Sequence, residues 1–106
     1  MKFATARALS QQPGFADALF NDLARQVEKL PLERFCTSGG WPLNAKISTI
    51  AILEDRSEKL LAVLYIGFTE TGAACCSGDN FEHERFGELT IEIDKNDWSC
   101  AFPAPN

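Results

Sequence analysis

The chain has 106 residues, 45% of them hydrophobic and 24% charged; the length leads us to expect one domain, and the composition is that of a folded protein and argues against disorder. No apolar run approaches the roughly 18–20 residues that a helical membrane span needs. The formal net charge is −5, unevenly spread: residues 1–53 carry six basic and four acidic side chains and residues 54–106 carry four and eleven, so that +2 stands against −7. An acidic half of this kind repels phosphate backbones and anionic lipid and attracts basic partners, so neither nucleic acid nor membrane is expected as a ligand.

Residues 1–12 show no clear apolar stripe and are expected to be weakly ordered. Lys2 and Arg7 interrupt the apolar run that a secretory signal requires, and the cytoplasm is the expected compartment. From Pro13, a residue suited to the first helical position, Phe15, Ala18, Leu19, Leu23, Val27 and Leu30 recur at three-to-four-residue spacing. Asp17, Asn21, Asp22, Arg25, Gln26 and Lys29 fall on the opposite side. The pattern predicts one long helix over 13–30, stopped by Pro31.

Residues 32–45 form a connector in which Ser38-Gly39-Gly40 and Trp41-Pro42 forbid regular structure. Trp41 is expected as a plug against the sheet edge, with a mobile lid as the other option. A sheet is expected over 46–102. Ile47–Leu53 and Leu60–Thr69 are β-branched and aliphatic, with the polar residues 54–59 as their hairpin loop. In the second strand Leu60, Ala62, Leu64, Ile66 and Phe68 point one way, and Leu61, Val63, Tyr65 and Gly67 the other. Both faces are apolar, so both require cover.

A short strand at 72–77, a turn at 78–80 and an undecided segment at 81–85 follow. Glu88–Asp94 then alternates, with Leu89, Ile91 and Ile93 inward. A turn at 95–97 leads to a last strand, on which Trp98, Cys100 and Phe102 share a face. The expected fold is α+β: one long N-terminal helix packed on a four- or five-stranded antiparallel meander.

Four cysteines (Cys36, Cys75, Cys76 and Cys100) and the single His83 are the side chains with distinctive chemistry. The one close pair, Cys75-Cys76, is adjacent and would straddle a strand, which is not zinc spacing, and no metal or other cofactor is expected. A thiol nucleophile needs a base, and the coherent version pairs Cys36 or Cys76 with His83. Gly39-Gly40 precedes a strand rather than a helix, so no phosphate-binding loop is present.

The acidic residues Glu82, Glu84, Glu88, Glu92 and Asp94, together with Trp41, form the expected partner-binding set. The leading expectation is a non-enzymatic acidic binding protein, in its most specific form an inhibitor or immunity-type protein masking a basic partner such as a nuclease toxin. The alternatives are a Cys-dependent enzyme, a small-ligand-binding protein with a pocket near Gly39-Gly40-Trp41, and a structural homodimer.

Overall fold

Three strands of fifteen residues set the shape of the molecule. They span Trp41–Asp55 (β1), Lys59–Ala73 (β2) and Asn80–Asp94 (β3), and a three-residue strand, Ser99–Ala101 (β4), completes one antiparallel sheet in the order β1-β2-β3-β4. The structure is a computed structural model and describes residues 2–73 and 80–103. The long ladders give a slab with principal extents of 53 × 25 × 20 Å.

Helices lie on one face only. A five-residue helix, Ala4–Ala8 (α1), precedes a ten-residue helix, Phe15–Ala24 (α2), and two short 3-10 turns follow at Val27–Lys29 and Leu32–Phe35. The expected long helix over 13–30 is therefore not formed. The chain leaves α geometry at Gln26 (φ −121°, ψ 24°), whose side chain bonds the Lys2 backbone and the Asp22 carbonyl. Leu30 still reaches the core, but from an extended segment beyond the 3-10 turn. Apolar spacing thus marked which residues are buried without securing one continuous helix. Pro13 lies outside α2, whose N-cap is Gly14 at φ +88°.

Residues expected to be weakly ordered include α1, which a distant carboxylate holds in place. Asp22 of α2 is only 5% exposed and accepts the Ala6 N–H at 2.8 Å, near the amino end of α1. An anion at that end satisfies an otherwise orphaned donor and suits the helix dipole.

The core is the layer between α1, α2 and the covered face of the sheet. Leu60, Ala62, Leu64, Ile66 and Phe68 of β2 and Leu89, Ile91 and Ile93 of β3 meet Phe15, Leu19, Leu23, Leu30 and Leu32 there. At the hairpin end, the Lys95 N–H donates to the Glu58 carbonyl and its ammonium pairs with Asp55, tying the β1–β2 and β3–β4 turns together. Trp98 is buried and meets Phe15 edge to face at 6.4 Å.

Three further expectations are revised. The sheet starts at Trp41 rather than near residue 46, and β2 continues through Ala73, so 72–73 belong to it rather than to a separate strand. Cys75, Cys76 and most of the expected 78–80 turn lie outside the described residues. The segment 81–85 is part of β3. Among the described residues no helix is long and apolar enough to cross a membrane.

Candidate interaction face and the carboxylate that shapes its rim

Strand parity divides β2 into two sets. Even-numbered residues from Leu60 to Gly72 are buried; odd-numbered residues from Lys59 to Thr71 are half-buried on the face that carries no helix. Residues opposite one another in an antiparallel ladder share a face, so the register fixes what surrounds that odd-numbered set. Leu61 lies between Glu54 and Glu92, Val63 between Ala51 and Thr90, and Tyr65 between Thr49 and Glu88. Farther along, Gly67 lies between Lys46 and Phe86, Thr69 between Leu43 and Glu84, and Thr71 between Trp41 and Glu82. Lys59 faces Asp94 at the hairpin end.

All six expected partner-binding residues, Trp41, Glu82, Glu84, Glu88, Glu92 and Asp94, therefore share the helix-free face. The carboxylates run down β3, the apolar stripe down β2, and exposed Trp41 and Leu43 stand at the far end of β1. Glu92 is paired with Lys59 at 2.8 Å, and that contact raises the lysine pKa. Among the described residues, Glu82, Glu84 and Glu88 form no ion pair.

Phe86, 76% exposed, interrupts the acidic row. Its ring lies over Gly67, where an added Cβ would stand 3.1 Å from Cδ1. Beside it the face dips into a shallow depression of about 330 Å³ bounded by Asn44, Lys46, Ser48, Thr69 and Glu84. A second hollow, of about 400 Å³, opens at the hairpin end around Glu58, Lys59, Glu92, Asp94 and Ser99.

Trp41 is not a plug: it begins β1 and is 56% exposed. The loop before it is anchored from below by Glu70, a residue absent from the expected site. The Glu70 side chain is fully shielded and accepts the N–H groups of Thr37 (3.0 Å), Ser38 (2.9 Å) and Gly40 (2.8 Å). The Arg85 guanidinium adds a bond to the same carboxylate at 2.9 Å and reaches the Ser38 hydroxyl at 3.0 Å. Burial on its own raises this carboxyl. The Gly40 N–H, the Arg85 side chain and the N–H groups of Thr37 and Ser38 together outweigh it and hold the pKa down at about 2. The carboxylate is thus permanently charged near neutrality and fully hydrogen-bonded.

One sequence signal pointed to it. Glu70 continues the inward parity of Leu64, Ile66 and Phe68, and Arg85 has the inward parity of Leu89 and Ile91. Two opposite charges at core positions of neighbouring strands are the mark of a buried pair.

Among the described residues the thiol chemistry finds no support in the geometry. Burial raises the Cys36 thiol, the Glu70 charge raises it further, Arg85 opposes, and Glu33 adds to the rise. A nucleophilic cysteine needs the opposite shift. His83 sits opposite Glu70 in the ladder, is exposed, and stacks on Phe81 at 5.2 Å between ring centroids. Cys76 lies outside the described residues. Cys100 is half-buried against the core, and burial raises its thiol too. Among the described residues no three His, Cys, Asp or Glu side chains gather where they would hold a metal ion. Comparison of the chain with known protein families, with characterised proteins and with solved structures finds no match.

Proposed function

We propose that this is a non-enzymatic, cytoplasmic binding protein whose helix-free sheet face docks a basic partner protein, in the manner of an inhibitor or immunity-type protein that masks a toxin. The observation that carries the reading is the register: it gathers Glu82, Glu84, Glu88, Glu92 and Asp94 into one row beside the apolar odd-numbered residues of β2. Carboxylates in such a row steer a cationic surface into register, and the apolar stripe supplies area to bury once it arrives. A second copy of the chain is a poorer fit. The open face holds two lysines, Lys46 and Lys59, against the acidic row, and Lys59 is already paired with Glu92.

The test is affinity capture from the source cell with the wild type and with the charge-reversed variant Glu84→Lys/Glu88→Lys, at low and high salt. The expected result is one basic protein held by the wild type at low salt, released at high salt and not held by the variant. Capture that charge reversal leaves unchanged would overturn the reading.

A further inference from the structure

The open face has a lateral profile that restricts the partner's shape. Leu61, Val63 and Tyr65 form an apolar stripe one strand wide. On the β3 side it is flanked by Glu92, Thr90 and Glu88, and the acidic row continues with Glu84 and Glu82 opposite Thr69 and Thr71. On the β1 side Ala51 and Thr49 face Val63 and Tyr65 and carry no charge, with Glu54 opposite Leu61 at one end and Lys46 opposite Gly67 at the other, so that flank has no acidic row.

A second sheet laid on this face would span all three long strands and bury the β3 carboxylates against its own apolar side chains, at a severe desolvation cost. An extended segment would pair with a sheet edge rather than lie on a face. The remaining regular element is a helix. With strands roughly 4.8 Å apart, β1 and β3 stand roughly 10 Å from each other. That matches the ~10–12 Å diameter of a helix with its side chains. The eleven residues of β2 from Leu61 to Thr71 run roughly 33 Å over ten steps, the length of a helix of about 22 residues.

We infer that the occupant of this face is an amphipathic α-helix laid along β2, its apolar stripe on Leu61, Val63 and Tyr65 and its lysines or arginines on the flank over Glu82, Glu84, Glu88 and Glu92. The inference rests on the proposed docking of a basic partner and specifies the element that docks. At Gly67 the stripe itself raises no side chain and the exposed Phe86 ring lies over the gap, so the helix meets an aromatic surface there, beside the depression. Helix side chains at i, i+4 and i+7 recur at about 6 and 10.5 Å. They can meet the two-residue strand repeat of about 6.6 Å on the acidic flank.

The test titrates the full chain, methyl-labelled for NMR, with two synthetic peptides of one composition. In one, leucines follow helical spacing with lysines along a single flank; in the other, the same residues alternate with strand period. The expected result is at least tenfold tighter binding of the helical peptide, with shifts concentrated on Leu61, Val63 and the Phe86 surroundings. That binding should weaken at least tenfold in Glu84→Gln/Glu88→Gln and in Val63→Asp. Equal or tighter binding of the alternating peptide, with salt-sensitive shifts on the same face, would overturn the helix and leave the basic-partner reading standing. Failure of both peptides to bind that face would overturn both.

Discussion

At the scale of single residues, Glu70 ties the connecting loop to the sheet. Its folded-state pKa of about 2 lies below the ordinary 4.5, so its ionised form is favoured by folding. The resulting stabilisation is fully present above about 4.5 and is lost as the pH falls toward about 2, because the unfolded chain takes up the proton first. Acid titration of thermal stability is expected to show a fall across that window that Glu70→Gln makes shallower, while Glu70→Gln is already less stable at neutral pH. A window unchanged by the substitution would refute the assignment. The two glycines of the same loop differ in kind. Gly39 has φ +76° with open space around it, so Gly39→Ala is expected to cost only the left-handed strain of about 1–2 kcal/mol. A Cβ on Gly40 would stand 2.3 Å from the Thr71 carbonyl oxygen, which is rigid backbone. Gly40→Ala is therefore expected to lower the denaturant midpoint more than Gly39→Ala and to increase protease cleavage between residues 36 and 41.

At the scale of elements, the long strands were legible where apolar and polar residues alternate and obscure elsewhere. Leu89, Ile91 and Ile93 marked β3 plainly, but Phe81 to Arg85, with three charged residues and a histidine in five, hid its first half. That half brings Glu82 and Glu84 into line with Glu88 and Glu92, so the acidic row was visible as composition before it was visible as geometry. The start of β1 was hidden too, by Pro42, by Asn44 at φ +54° and by three register shifts along its pairing with β2. Such irregularities also blunt a free edge against pairing with other chains. The helix was overextended for a different reason. Val27 and Leu30 keep the apolar rhythm after Gln26 has turned away to bind Lys2. The placement of α1 depends on Asp22, which sequence periodicity assigned to solvent. Asp22→Ala is expected to destabilise the protein by about 1–3 kcal/mol through the orphaned Ala6 N–H. It should also speed amide exchange across residues 4–8 far more than in the sheet.

At the scale of the whole molecule, a thin slab carries its helices on one side and the β3 carboxylate row on the other, where Glu82, Glu84 and Glu88 form no ion pair among the described residues. Leu60 to Phe68 is greasy on both flanks; α1 and α2 cover the side that holds the even-numbered residues, and the odd-numbered side is left to its neighbours on β1 and β3. The helical side holds its own exposed acids, Asp17, Glu28 and Glu33, and these provide an internal control. Carbodiimide labelling of carboxylates, read residue by residue in the free protein and in a purified complex with the proposed basic partner, addresses the proposed docking surface directly. The account predicts that Glu82, Glu84 and Glu88 lose reactivity in the complex while Asp17, Glu28 and Glu33 keep it. Protection of Asp17, Glu28 and Glu33, with the β3 row still fully reactive, would contradict it.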